Sequence, residues 1–540
     1  MKDIFINCKV YTGGGEFASA FAVENGSFTH VGDRDSIPVE GSDAVHDMGG
    51  RFVCAGFNDS HMHLLNFGQT LGYAPLSEHT RSLSDMLQCL RRHLESGLLL
   101  GGKWLLGRGW NQDLFKGSRE MPTKYDLDTV SADIPIMVTR TCGHCCILNS
   151  KALELAGITS NTPQPEGGRI GMTGGEPDGR LFDNAMDLVE PVLPLPSEDE
   201  LKAMIRAAAS KANSCGITSV QSDDYCVFRR LSPEAVNDAY RELEKAGELT
   251  VRVYEQCNFT DEAELESFID AGNITGNGSE LFKIGPLKLL GDGALGSRTA
   301  HLTRPYPGTD TCGFSLFAPE KMASLVKLAH SRGMQVAIHA IGDACLDEVL
   351  NSLETAMREF PRPDPRHGVV HCQVSRADQL ERIARLKLHV YAQSVFLDYD
   401  NHIVGSLLSP ELAATSYNWK TLMVKGVSVS NGSDCPVEYP DALRGIECAV
   451  TRTSLDGTGP YLPDQAFTVA EAIDSFTLSS AEASFEENVK GRIAVGQYAD
   501  FTVLGGDPFK ADPRTIHSIP VIAAYLAGRP VFEKENNSRG

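Results

Sequence analysis

Eight short apolar runs of strand-like composition recur from Arg51 onward with helix-like stretches between them, and this alternation restricts the fold more than any other feature. The first run ends at His63; the others cover 216–221, 251–256, 282–289, 335–339, 368–371, 389–393 and 427–431. Alternating β and α segments imply a parallel sheet with crossover helices, and eight such units imply an α/β fold, the (β/α)8 TIM barrel. The stretch 200–214 (Leu201, Met204, Ile205, Ala208, Ala212) and Pro319–Ser331 (Met322, Leu325, Val326, Leu328, Ala329) repeat apolar residues every three or four positions, as core-facing helices do.

In such a barrel, chemistry sits at the C-terminal ends of the strands. Four runs carry histidine or aspartate there: Gly56-Phe57-Asn58-Asp59-Ser60-His61-Met62-His63, Val336-Ala337-Ile338-His339, Val369-Val370-His371, and the run into Asn431-Gly432-Ser433-Asp434. Side chains two apart on a strand share a face, so His61 and His63 can present two imidazoles to one ion. A mixed shell of imidazoles and a carboxylate suits a borderline divalent metal such as zinc.

Charge and composition exclude other classes. A net charge of −22 repels a phosphate backbone, and no basic stripe offsets it, so nucleic acid is not expected as a partner. Hydrophobic residues make up 42% and charged residues 22%, a globular balance. No apolar run approaches the roughly 20 residues of a membrane span, so no membrane association is expected. The first eight residues lack an export-type apolar core, which leads us to expect a cytoplasmic chain whose 14 cysteines are reduced. Cys142-Gly143-His144-Cys145-Cys146 has no second Cys-x-x-Cys to complete a zinc knuckle.

Two segments fall outside the barrel pattern. Residues 73–198 are far too long for one βα loop, so they read as a lobe inserted after the first strand, with loops expected from Thr162 to Arg180. Short strand-like pieces near both ends (4–10, 20–25, 28–32, 499–504, 521–526 and 531–532) read as one small β-sandwich. The expected plan is therefore a composite sandwich from 1–54 and 488–540 around a barrel at 55–487.

Beyond the first motif, the chain carries Gly107-Arg108-Gly109-Trp110-Asn111, Leu287-Lys288-Leu289-Leu290-Gly291-Asp292-Gly293-Ala294 with Ser297-Arg298-Thr299-Ala300, and His339-Ala340-Ile341-Gly342-Asp343. Ser433-Asp434-Cys435-Pro436-Val437 and Gly491-Arg492-Ile493-Ala494-Val495-Gly496-Gln497-Tyr498-Ala499-Asp500 follow. With these, the chain resembles the metal-dependent amidohydrolase superfamily and, within it, amidohydrolase family 3, the YtcJ-like and N-substituted formamide deformylase-like proteins. The resemblance implies a barrel with a sandwich built from both termini.

It also implies two zinc ions per chain, other divalent metals being possible. His61, His63 and Asp434 would hold the first and His339 and His371 the second, with carboxylated Lys288 as the bridge. A protonated ammonium cannot be a ligand, but a buried neutral amine can add carbon dioxide to give an anionic carbamate. The implied activity is hydrolysis of an amide-type C–N bond in a small N-acyl or N-formyl amide, by metal-activated water with Asp434 moving the proton. A deaminase or cyclic-amide hydrolase on the same barrel, or a non-catalytic metal-binding regulatory protein, are the alternatives. A homodimer is expected from the relatives.

Secondary candidates each have a structural reading. His144 could touch the substrate oxygen or be satisfied inside the lobe. Trp110 and Asn111 could wall the pocket, although tryptophan is commonly core. Arg298 could hold an anionic substrate group or a structural salt bridge. Asp343 could orient a ligand histidine or cap a helix, and Glu255 reads as a buried, hydrogen-bonded core residue.

Overall fold

Parallel strands covered on both faces need nearly continuous apolar sequence, and the eight runs provide it. In the computed structural model, which describes residues 2–38, 41, 43–117, 119–141, 143, 145–165 and 168–534, they form one eight-stranded parallel sheet. The strands are Phe57–Met62, Ile217–Ser222, Arg252–Asn258, Phe282–Leu290, Val336–Ala340, Gly368–His371, His389–Ala392 and Val429–Asn431. Each pairs with its sequence neighbour, so the order runs from first to eighth around the barrel.

The segment after the eighth strand meets the end of the first. Asp434 N–H donates to His61 O (2.8 Å) and His63 N–H to Cys435 O (2.8 Å). Buried Asp59 supports this seam by accepting from Ser433 N (3.0 Å) and Ser433 Oγ (2.5 Å). Only glycine fits at 432, because a Cβ there would lie 2.6 Å from His61 N and 2.7 Å from Asp59 Oδ1.

The helices follow the expected periodicity. One spans Pro319–Ser331, with Met322, Leu325, Val326 and Ala329 buried. Another spans Glu198–Ser214; it opens on Glu198, Asp199 and Glu200 and has Lys211 in its last turn, charges that complement the helix dipole.

Both ends of the chain contribute to two further sheets. Asp3–Ile6, Ala20–Glu24, Ser27–Gly32 and Ala44–Asp47 form one; Lys9–Gly13, Glu16–Ala18 and Phe52–Ala55 join Phe501–Leu504, Val521–Leu526 and Arg529–Glu533 in the other. Their inner faces share an apolar core in which Phe5 stacks on Phe21 (centroids 4.7 Å) and Phe501 meets both edge-on at 5.1 and 5.0 Å. A buried fork ties the second of these sheets to the barrel: Arg252 Nε and Nη2 donate to Asp500 Oδ2 (2.6 Å) and Oδ1 (3.0 Å).

A second compact unit comprises Leu65–Ala208 and Phe228–Ala239. Within it the helix Leu64–Leu71 packs so closely that a Cβ on Gly68 would stand 2.2 Å from Met204 O. Its six-stranded sheet includes the hairpin Gly168–Thr173 and Glu176–Asp183. That hairpin replaces the loops expected between Thr162 and Arg180. The two-residue Gly174-Gly175 turn has positive φ at both positions (61° and 87°), the geometry that closes a hairpin between alternating residues. No helix among the described residues is long and apolar enough to cross a membrane.

Breaking a buried ion pair leaves an uncompensated charge, at a cost of about 3–5 kcal/mol. Asp500→Ala should therefore lower the thermal unfolding midpoint clearly, while Lys510→Ala, at an exposed pair with Asp507 (4.0 Å), should leave it in place. A second prediction concerns the buried histidines His330 and His367. Val336 N–H donates to His367 Nδ1 (3.0 Å), so His367 donates from Nε2 to His330 Nδ1 (2.8 Å), and His330 Nε2 donates to Phe360 O (2.7 Å). Burial depresses the pKa of both, His367 strongly with His330 adding to the effect, so the folded state keeps the relay neutral. Its contribution is present above about pH 6.5, the ordinary histidine value, and is lost as pH falls below it, where the unfolded chain takes up the protons. His367→Gln should reduce the loss of thermal midpoint between neutral and mildly acid pH relative to wild type.

Candidate metal centre

The seam hydrogen bonds place the end of the eighth strand against the end of the first, which brings Asp434 to the two histidines. His63 Nε2 lies 3.1 Å and His61 Nε2 3.3 Å from Asp434 Oδ1. His371, from the sixth strand, joins them: one ligand atom from each of His61, His371 and Asp434 lies within 4.8 Å of the other two. The His339 ring packs edge-on against His371 at 4.4 Å between centroids.

The outer faces of these rings are tied down, which decides their inner faces. His61 Nδ1 donates to Gln256 Oε1 (2.8 Å), and the Gln256 amide is itself oriented by donating to Ser60 O (3.2 Å). His371 Nδ1 donates to Gln393 Oε1 (2.7 Å), and His63 Nδ1 to Asp223 O (2.8 Å). A histidine that spends its N–H outward keeps a lone pair on the other nitrogen, the arrangement that second-shell partners impose on ligand histidines. His339 is held the opposite way round, with Nε2 against Gly293 O (3.2 Å) and Asp292 Oδ1 (3.2 Å), so Nδ1 is its free edge.

Electrostatics agree with a cation site. Burial pulls His61 down to about 4, assisted by the charge of Lys288. His371 also falls well below the ordinary value through burial and the neighbouring His339. Both are neutral at neutral pH and have lone pairs to offer. Burial pushes Asp434 up, but the His61 and His63 rings facing its Oδ1 outweigh that and hold it well below the carboxylate range. For His63 burial is likewise outweighed, by Asp434 and Cys226, and the ring sits above its ordinary value. His371 and Asp434 also adopt positive φ (73° and 57°), a conformation non-glycine residues avoid and one that clusters at functional sites.

Lys288 is buried on the fourth strand and ends 3.5 Å from Asp223 Oδ2. Its partner is thus Asp223; the Asp292 carboxylate instead accepts from the backbone of His301 (2.8 Å), Ile341 (3.0 Å) and Gly342 (2.8 Å). The residue that orients His339 is Asp292. Asp343, read from sequence as a candidate for that task, instead accepts from Thr303 N (2.9 Å) and Arg376 Nη1 (2.9 Å). Glu255 is a buried core residue, accepting from Asp224 N (3.0 Å).

The remaining candidates divide. Trp110 belongs to the second compact unit, where it is fully buried in an apolar cluster and donates to Val138 O (3.3 Å), a packing role. Asn111 of that unit caps a short 3-10 helix through Asp113 N (3.0 Å) and accepts from Arg140 (3.1 Å). Arg298 is exposed on the loop after the fourth strand. His144 and Cys142 lie outside the described residues. Sequence reasoning passed over Asp223, Cys226, Gln256 and Gln393; the adjacent acids Asp223 and Asp224, directly after a strand, were a signal that could have found the first.

Fold and side chains together define a TIM-barrel protein with a histidine–carboxylate cluster, fit for a cation, at the C-terminal ends of its strands. The family model described as "Amidohydrolase family" matches residues 44–532, and the chain belongs to that family. YtcJ of Bacillus subtilis (strain 168), named as an amidohydrolase, is 34% identical over 545 aligned positions, covering 99% of this chain and 100% of that one. The N-substituted formamide deformylase of Arthrobacter pascens is 25% identical over 99% of each chain. Among solved structures, an uncharacterized metal-dependent hydrolase from Pyrococcus horikoshii OT3 superposes with a TM-score of 0.79 at 27% identity, over 95% of this chain and 99% of that one.

Removing a partner that orients a ligand histidine commonly costs 10–100-fold in metal affinity. Gln256→Ala and Gln393→Ala should each weaken metal binding by about that factor, measured by competition with a chromogenic chelator, with the circular dichroism spectrum unchanged.

Proposed function

We propose that this chain is a zinc-dependent hydrolase that cleaves an amide-type C–N bond in a small N-acyl or N-formyl amide. The observation that carries the reading is the grouping of His61, His371 and Asp434, with His63 beside the same Asp434 oxygen (3.1 Å) and the outer nitrogens of the three histidines tied to Gln256, Asp223 and Gln393. When bound there, a divalent zinc would supply an activated water near neutral pH and polarise the carbonyl under attack.

The chain's own residues do the rest. Asp434 is ionised and buried, so it can take a proton from water and return it to the departing amine nitrogen. One Asp434 oxygen faces both histidines, leaving the other for the proton. Gln256 and Gln393 keep His61 and His371 in the tautomer that binds metal. The relationship to a formamide deformylase supports N-formyl amides as the first substrates to try.

The His61→Ala/His63→Ala double variant should lose metal, read by elemental mass spectrometry, and all turnover of a panel of N-formyl and N-acyl amides that wild type hydrolyses. Turnover by the double variant, or an inert panel with zinc-loaded wild type, would reject the reading.

A further inference from the structure

Asp223 and Cys226 have no role of their own in the chemistry above, although both sit on the edge of the cluster. They follow the second barrel strand, and the chain there is tied to the His-x-His segment on both sides: Asp223 N–H donates to Met62 O (2.9 Å), and Asp223 O accepts from His63 Nδ1 (2.8 Å). One ligand atom from each of His63, Asp223 and Cys226 lies within 4.8 Å of the other two.

The Asp223 side chain is completely buried. Its Oδ2 faces Lys288 Nζ (3.5 Å) and Asn258 Nδ2 (3.4 Å), both long contacts, and its Oδ1 has no hydrogen-bond partner among the described residues. A buried carboxylate oxygen left without a donor is costly, and a cation is one partner that would satisfy it. The Cys226 thiol, half-buried, contacts the Asp223 carbonyl (3.7 Å) and the His63 ring.

We propose that Cys226 and Asp223 are direct ligands of a divalent cation beside His63, a thiolate and a carboxylate that supply the negative charge otherwise expected from a carboxylated Lys288. On binding, the S–H proton leaves to solvent and the freed sulfur lone pair becomes the ligand bond. Lys288 then keeps Asp223 Oδ2 as its partner, whereas a carbamate at that position would set a second anion against the same carboxylate. The proposal rests on the metal-centre reading but goes beyond it in naming a sulfur ligand.

Cobalt(II) titrated into metal-free, full-length protein tests it, because a thiolate ligand produces an intense near-ultraviolet sulfur-to-cobalt charge-transfer band that nitrogen and oxygen ligands do not. The expected result is a band in wild type and in the Cys312→Ser control, no band in Cys226→Ser, and at least about tenfold more cobalt needed to reach the same band in Asp223→Asn. Zinc X-ray absorption on wild type should show a sulfur shell near the usual ~2.3 Å. Cobalt bound to wild type without the band, or a band that survives Cys226→Ser, overturns the sulfur ligand and leaves the metal centre standing. Failure of wild type to bind cobalt or zinc overturns both.

Discussion

The closing seam of the barrel is the constraint on which everything else depends. His61 and His63 arrive on the first strand and Asp434 just past the eighth, more than 370 residues later, and two backbone hydrogen bonds between those segments bring them together. Asp59 and Ser433 reinforce the joint with side-chain bonds, and Gly432 is the residue without a side chain that lets the segments approach. Had the seam opened by one strand spacing, about 4.8 Å, Asp434 would not reach the histidines.

Around that joint, the charge arrangement is consistent with a cation. Buried His61 and His371 are neutral, the buried aspartate is ionised, and each of those two rings commits Nδ1 to a named acceptor so that Nε2 is free. Such an arrangement without a cation would gather acceptors that have nothing to accept from. The same logic applies one residue shell out, where Asp223 Oδ1 stands beside a thiol without a partner among the described residues. Left-handed backbone at both His371 and Asp434 is held in place by its surroundings: Trp419 Nε1 donates to His371 O (3.0 Å), and the seam holds Asp434.

The two long departures from the barrel pattern were legible to different degrees. The terminal strands could be read because alternating apolar residues and turns survive in short segments, and Phe5, Phe21 and Phe501 then find one another in a shared core. The insertion was legible only as an excess of length. Trp110 shows why: a tryptophan in a Gly-rich motif looks the same in sequence whether it walls a pocket or fills a core, and only its burial against Val138 and its neighbours decides for the core. Likewise Gly174-Gly175 reads as loop until one counts the alternation on either side of it.

What the sequence determined by itself was periodicity and residue type. The eight apolar runs, their order, the ends that carry His61, His63, His339, His371 and Asp434, and hence a parallel barrel with ionisable groups on one rim all follow from patterns local in the chain. Tertiary structure alone decided which partners those groups meet. Gln256 and Gln393 are 195 and 22 residues from the histidines they orient, Asp292 rather than the nearer Asp343 holds His339, and Lys288 faces Asp223. No spacing rule encodes these pairings, because they depend on how strands register around a closed sheet, and closure is a property of all eight strands at once.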